Sequence, residues 1–329
     1  MKTIRVHLGE RSYSILVGLN LPVGQVLSGR RGVRALLVTD SHVDSLYGAE
    51  CEKSLQALGV ETFRAVVPAG ESSKDLKHVG ILYDQAAECG LDRASVVVAL
   101  GGGVVGDLAG FVAATYLRGV GLIQMPTTLL AMVDSSVGGK TGINLTSGKN
   151  LAGAFYQPIE VVADLRTLAS LPGREYASGL AEVVKYGVIW DGSFLEFLEH
   201  HVAELARRDL SLLMDVVSRC CEIKAEIVGK DERESGLRAI LNFGHTFGHA
   251  LEKAAGYGEW LHGEAVSIGM VYAAELSVSQ GLFSPAEAGR LRDLLKMVGL
   301  PSSLSSASVS PDWSDIRKAM DLDKKSRRN

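Results

Sequence analysis

Proline is scarce in this 329-residue chain, with 8 against 37 glycines, and cysteine is scarcer still at 4. Cys51, Cys89, Cys220 and Cys221 fall in apolar or helical contexts without CxxC spacing. That argues against a cysteine-built metal site and for reduced, unpaired thiols in a cytoplasmic protein. Positive charge is not in surplus: 34 Lys and Arg against 38 Asp and Glu give a net charge of −4, and the one basic cluster, the KKSRR tail, reads as a solvated end. A nucleic-acid surface is therefore not expected. Long apolar runs are missing too, since no stretch reaches the ~18 uninterrupted apolar residues of a membrane span. The start, MKTIRVHLGERSYSILVG, alternates like strands and lacks the apolar run and cleavage site of a signal peptide. There is no internal repeat, low-complexity tract or long linker.

What remains is globular: 47% hydrophobic and 22% charged residues. A prior of roughly 150 residues per domain gives two domains, and the many glycines point to tight loops around ligands. The first half carries short β-rich runs, IRVHL, YSILVG, ALLVTD, TFRAVVP, SVVVAL, GLIQMPTT and EVVADL, several separated by amphipathic stretches such as DLKHVGILYDQAAECG. Strands alternating with helices predict an α/β domain with a largely parallel sheet. After about residue 165 the β signal disappears and helical periodicity takes over. The expected organisation is thus an α/β, Rossmann-like dinucleotide domain over 1–165 and an all-α domain over 166–329, with the cleft between them as the default ligand site.

Three features carry chemistry. In RAILNFGHTFGHALE, Arg238, Asn242, His245, His249 and Glu252 recur at i, i+4, i+7, i+11 and i+14. A continuous helix would place them on one face, as the wall of a polar cavity whose imidazoles are candidate metal ligands or proton carriers. In SVVVALGGGVVGDLAGF, Gly101, Gly103 and Gly106 fit GxGxxG between a buried strand and a helix, where backbone amides attract a pyrophosphate. The acidic residue expected ~20 positions later is absent. Asp40, closing ALLVTD, is either its substitute in a sheet of different strand order or a plain helix cap. The loops PAGESSK and PTTLLAMVDSSVGGKTGIN follow strands, as ligand loops do in α/β proteins. Turn chemistry suffices for Ser72 and Ser73, but less well for Lys140, which follows Gly138-Gly139 and lies near Asp134 in the same loop.

GGGVVGDLAGF, MPTTLLAMVDSSVGGKTGIN, GKNLAGAFYQP, LPGREYASGLAEVVKYG, LNFGHTFGHALE and LHGEAVSIGM, taken together and in order, closely resemble the 3-dehydroquinate synthase family of the sugar-phosphate cyclases, an enzyme family of the shikimate pathway. The resemblance runs from about Pro68 to Met270, with a weaker echo at DLDKK. It implies conversion of 3-deoxy-D-arabino-heptulosonate 7-phosphate into 3-dehydroquinate and phosphate, with tightly held NAD+ and one divalent metal, zinc or cobalt. A ring hydroxyl is oxidised transiently, the neighbouring C–H becomes acidic, phosphate leaves by β-elimination, the ketone is reduced back, and the opened ring closes by an aldol reaction. NAD+ is unchanged at the end.

Matched motif by motif, the resemblance implies Glu182, His245 and His262 as metal ligands. Spacing alone would instead pick His245 and His249, the i, i+4 pair of a zincin, but the Glu of that motif is here Thr246. It assigns NAD+ to Asp40, Glu71, Lys74, Gly102, Gly103, Val104, Val105, Gly106, Asp107, Thr127, Thr128, Thr167 and Ser170, with Lys140 and Lys149 shared between cofactor and substrate. Substrate contacts would be Asp134, Lys140, Lys149, Asn150, Lys185, Lys224, Arg238, Asn242 and His249, with Arg118 reaching in from a homodimer partner. Glu234 either orients this cluster or is a surface charge in a polar turn. Relatives continue past DKK with an apolar run and a helix, whereas this sequence ends at Asn329. A phosphate contact from Lys324 or Lys325 is therefore expected to be loosely held, and the residues after about Asp321 mobile.

Overall fold

The β-branched runs of the first half read as continuous apolar segments because both faces of their sheet are covered. The computed structural model describes residues 1–256, 258–306 and 311–325, with 306 and 322–325 described by backbone alone. Its strands are β1 (Lys2–Val6), β2 (Tyr13–Gly18), β3 (Arg34–Asp40), β4 (Glu61–Val67), β5 (Val96–Gly101), β6 (Gly121–Pro126), β7 (Lys140–Leu145), β8 (Gly148–Phe155) and β9 (Glu160–Asp164). Seven of them form one sheet in the order β1-β2-β9-β6-β5-β3-β4, with all neighbours parallel except β1 and β2. Alternate residues of β3 point to opposite faces. Leu36 and Val38 join one core with Val79, Leu82, Leu108 and Val112, while Ala35 and Leu37 join another with Val43, Leu55, Ile123 and Val162.

The helices of this part are α1 (Ser41–Val43), α2 (Ala49–Ala57), α3 (Leu76–Glu88) and α4 (Gly103–Thr115). The sequence shows the seven sheet strands and α3. It does not show the β7–β8 hairpin, whose strands pair antiparallel with an irregularity between Ile143 and Leu145. Residues 148–155 alternate glycine, exposed and half-buried positions, so they present no apolar face to betray a strand.

The remaining helices are α5 (Gly173–Ile189), α6 (Gly192–His200), α7 (Val202–Ala206), α8 (Leu210–Lys230), α9 (His245–Ala255), α10 (His262–Ser279), α11 (Pro285–Met297) and α12 (Trp313–Lys325). By contacts the chain forms one unit from Met1–Leu171 with Leu213–Arg233 and a second from Pro172–Leu212 with Glu234–Asn329. A single cut between residues 165 and 166 therefore misses one exchange: most of α8, helical in sequence, packs with the sheet unit. Cys221 Sγ reaches Met132 O at 3.4 Å, Lys224 Nζ reaches Asp134 Oδ1 at 2.7 Å, and Lys2 and Arg11 bridge to Asp215 and Glu232. Helical periodicity records which face is buried but not against what.

In the second unit Phe247, Leu251, Trp260, Ala265, Ile268, Ile316 and Ala319 form a core among α9, α10 and α12. The continuous helix expected over 238–252 is not formed. A 3-10 turn, Leu237–Asn242, ends at Phe243, Gly244 takes the left-handed conformation (φ 80°), and α9 starts at His245. The cause is a close approach to α10: a Cβ on Gly244 would stand 2.7 Å from Met270 N, and one on Gly269 only 1.9 Å from Gly244 O. Neither position admits a side chain without moving one backbone off the other.

The expected side-chain positions of Lys324 and Lys325 and the structure of 326–329 lie outside the described residues; the α12 backbone is helical to Lys325. Among the described residues no helix is long and apolar enough to cross a membrane. No disulfide joins any of the four cysteines, and burial pushes the Cys51 and Cys221 thiols up to about 12.

Gly269→Ala should lower stability by about 1–3 kcal/mol or more, as overpacking of a filled contact does. Thermal unfolding by circular dichroism checks this; an unchanged midpoint would mean that the α9–α10 contact relaxes freely.

Candidate metal centre and nucleotide loops

Glu182 sits mid-way along α5 with no exposed surface. A buried carboxylate costs several kcal/mol unless its charge is compensated. Neither of its oxygens accepts a hydrogen bond among the described residues. Instead its two oxygens have different neighbours: Oε2 meets the Lys185 ammonium one turn along the helix, whereas Oε1 faces His245 Nε2 at 3.4 Å and His262 Nε2 at 3.7 Å. His245 opens α9 and His262 opens α10.

The candidate ligand atoms of Glu182, His245 and His262 all lie within 4.8 Å of one another. Donors on a tetrahedral shell of ~2.1 Å radius stand roughly 3.4 Å apart. The residues present thus fit a divalent cation: one anionic oxygen without a hydrogen-bond donor, and two imidazole nitrogens facing it. Both rings are oriented from behind, His245 Nδ1 by Phe243 O at 3.2 Å and His262 Nδ1 by Glu252 Oε2 at 3.4 Å. A second group, His249, Glu252 and His262, also has ligand atoms within 4.8 Å, but His249 is exposed and its ring lies edge-on to His245 at 5.4 Å.

Lys185, paired with Glu182, and Arg238 are buried, Arg238 being the largest fully buried side chain among the described residues. Asn242 donates to Glu234 Oε1 at 2.5 Å, and Glu234 is half-buried. One contributor escapes the sequence. Ser178 Oγ accepts from Gly263 N at 3.0 Å and ties α10 to α5, with no signal in the chain. Glu252 carried a signal, since it lies on the polar stripe.

In the first unit the predicted nucleotide residues cluster at the carboxyl end of the sheet. The chain moves outward from β3 to β4 and then returns past β3 to β5, so order reverses there, at the kind of crevice where α/β proteins bind ligands. Asp40 ends β3, Gly102 caps α4 after β5, and Thr127 follows β6. Asp40 Oδ1 accepts from His42 N and Val43 N, both at 2.9 Å, so its capping role is realised. Gly106 lets α4 lie on β6, where an added Cβ would stand 2.9 Å from Gln124 Oε1.

Polar side chains behind the loops are linked. Glu71 Oε1 accepts from Asn144 Nδ2 at 2.7 Å, Asn144 Oδ1 accepts from Asn150 N at 3.0 Å, and Lys74 donates to Asn150 Oδ1 at 2.5 Å and pairs with Asp107. Burial raises the Asp107 carboxyl above the usual carboxylate range, with Lys74 pulling the other way. Lys224 grips Asp134 through its side chain and its carbonyl, at 2.7 and 2.6 Å. Thr128 Oγ1 accepts from Ala131 N, Thr167 Oγ1 donates to Asp164 O, and Ser170 lies against Tyr47. Lys140 is exposed and Lys149 half-buried. Arg118, exposed between α4 and β6, follows Leu117, and both take positive φ, 68° and 50°.

A side chain at position 263 would stand 1.9 Å from Ser178 O. Gly263→Ala should therefore push the start of α10 off α5, separate His262 from Glu182 and weaken metal binding by at least about tenfold. NAD+ binding should be unchanged; titration of the metal-free protein with Zn2+ measures the first and fluorescence titration the second.

Comparison with known proteins agrees with both halves. Residues 64–178 match the 3-dehydroquinate synthase N-terminal family and residues 179–326 the 3-dehydroquinate synthase C-terminal family. The chain is 52% identical over 328 residues to the 3-dehydroquinate synthase of Desulforamulus reducens, covering 99% of this chain and 90% of that one. Among solved structures it resembles 2-deoxy-scyllo-inosose synthase complexed with carbaglucose-6-phosphate, NAD+ and Co2+ (TM-score 0.89, 30% identity, covering 97% and 86%). It likewise resembles the 2-epi-5-epi-valiolone synthase of Streptomyces hygroscopicus subsp. jinggangensis with NAD+ and Zn2+ bound (TM-score 0.88, 32% identity, covering 98% and 89%). With both family profiles matched in sequence order and half of all residues shared with a relative along nearly the whole chain, the protein belongs to the 3-dehydroquinate synthase family.

Proposed function

We propose that this protein is a 3-dehydroquinate synthase, converting 3-deoxy-D-arabino-heptulosonate 7-phosphate to 3-dehydroquinate and phosphate, and thus a carbon–oxygen lyase acting on a phosphate ester in the cytoplasm. The observation that carries the reading is the Glu182–His245–His262 centre, found in a chain 52% identical to a 3-dehydroquinate synthase. Bound NAD+ would supply a hydride acceptor that gives back what it takes, and a zinc or cobalt ion held by Glu182, His245 and His262 would supply a Lewis acid.

The chain's own residues do the rest. The amides of Gly102, Gly103, Val104, Val105, Gly106 and Asp107 at the start of α4 offer a positive dipole end to a pyrophosphate. Asp40, Glu71, Lys74, Thr127, Thr128, Thr167 and Ser170 complete the nucleotide contacts, with Lys140 and Lys149. The substrate carries a carboxylate and a phosphate, which calls for several cations. Lys224, held by Asp134, and Arg238 are assigned to the carboxylate, and Lys140, Lys149, Lys185 and Asn150 to the phosphate and hydroxyls. Asn242, oriented by Glu234, positions a hydroxyl. His249, exposed and one turn beyond His245, carries protons. Arg118 is assigned to the phosphate of a neighbouring subunit in a homodimer; successive left-handed residues at 117 and 118 are the kind of backbone strain that concentrates at functional sites.

Because the redox cycle closes, phosphate should accumulate from the heptulosonate phosphate while NADH absorbance stays flat over many turnovers. NADH rising in step with product would instead indicate a net oxidoreductase of the metal-dependent polyol dehydrogenase kind. A different sugar phosphate turned over in preference would indicate another cyclase.

Glu182→Ala, His245→Ala and His262→Ala should each lose the metal, and with it at least on the order of 10³-fold in turnover. Full activity after exhaustive chelation would defeat the ligand assignment.

Arg118→Ala and Lys185→Ala, each inactive alone, should regain some activity when mixed, since a mixed dimer holds one intact site. No rescue despite demonstrated subunit exchange would count against a shared site.

A further inference from the structure

The polar stripe of α9 leaves one member without a role in the reaction. Glu252 is buried, seven residues after His245 and three after His249, and its Oε2 faces the Nδ1 of His262 at 3.4 Å. His262 thus has a carboxylate on each side, Glu182 Oε1 opposite Nε2 and Glu252 opposite Nδ1. We propose that Glu252 is the positioning residue of the metal centre: it accepts a hydrogen bond from the Nδ1–H of His262 and so fixes the ring orientation and the tautomer that leaves the Nε2 lone pair toward Glu182.

The comparison with His245 supports this. That ring is held by the same device in weaker form, its Nδ1 against the neutral carbonyl of Phe243, two residues before it in the chain. His262 is the first residue of α10, preceded by Leu261 in extended conformation. It is also the more exposed ring, its side chain 31% accessible against 11% for His245. A carboxylate from the neighbouring helix supplies the anchor that the local backbone gives His245, and a charged acceptor holds the ring more strongly than a neutral one.

This inference rests on the ligand assignment above, and the experiment separates the two. Metal-free protein is titrated with Zn2+ against a chromophoric chelator for the parent, Glu252→Gln, Glu252→Ala and Glu182→Ala. Glutamine keeps the shape and an acceptor but not the charge, so its affinity should fall about tenfold and that of Glu252→Ala about a hundredfold. NAD+ affinity and the thermal midpoint of metal-free Glu252→Gln should match the parent. In nitrogen-detected spectra of the metal-free protein near pH 8, His262 should be the Nδ1–H tautomer in the parent and a mixture in Glu252→Ala.

Zn2+ affinity in Glu252→Gln within about twofold of the parent would overturn the proposal. So would a loss matched by a lower metal-free midpoint, which would make Glu252 a packing residue. A second equivalent of Zn2+ that disappears in Glu252→Gln would make it a ligand, with His249 and His262, and overturn it as well. Retained affinity in Glu182→Ala would instead refute the ligand assignment itself.

Discussion

The second unit is organised by one constraint, the burial of the Glu182 carboxylate. An anion with no exposure and no hydrogen-bond donor is tolerated only where positive charge compensates it. Three helices provide for this. Lys185, on α5 itself, covers one oxygen, while α9 and α10 each begin with an imidazole aimed at the other. Such proximity demands backbones closer than ordinary side chains allow, and the glycines at 244, 263 and 269 stand at those contacts. Geometry at the centre and stability of the helical packing are therefore one problem. A residue that loosens the packing by the width of a methyl group also moves a nitrogen relative to Oε1.

Unit one solves a related problem with lysines. Lys74 is buried and paired with Asp107, and Lys224 is buried and paired with Asp134. Removing one partner of such a pair strands the other charge, which is why buried pairs are costly to break even when they add little net stability. The Asp107 carboxyl shows the tension, pushed up by burial more than Lys74 draws it down. What the pairs contribute is position: a lysine tied at two points does not wander through its rotamers, and a phosphate or carboxylate that displaces one partner meets a charge already in place.

Much of this was legible in the chain. The sheet strands are β-branched because both their faces are buried, and burial on both faces leaves a mark in composition. The second strand of the β7–β8 hairpin leaves none, since it has glycines and no buried residue. Nor could periodicity tell that α8 packs with the sheet unit, because an apolar stripe is silent about its partner. The break at Gly244 was hidden for another reason. Residues 238–252 keep helical spacing across it, and the cause, a carbonyl meeting Gly269 on α10, lies 25 residues away in sequence. At the site, spacing pointed to His249 as a ligand, while resemblance pointed to Glu182 and His262, each more than ten residues from His245 and so beyond any local pattern.

Ring positions alone do not decide between those two readings. The three histidines form a near-equilateral set, with centroids 5.2, 5.4 and 5.7 Å apart, and any two could embrace an ion. The buried carboxylate favours the set with Glu182. His245 and His262 both present Nε2 to Glu182 Oε1, and both have Nδ1 engaged behind them, so each has one nitrogen committed and the other aimed. His249 is exposed, and its ring lies edge-on to His245. The same helix turn that makes His249 look like a ligand in sequence is what brings its ring within 5.4 Å of His245 and 5.7 Å of His262.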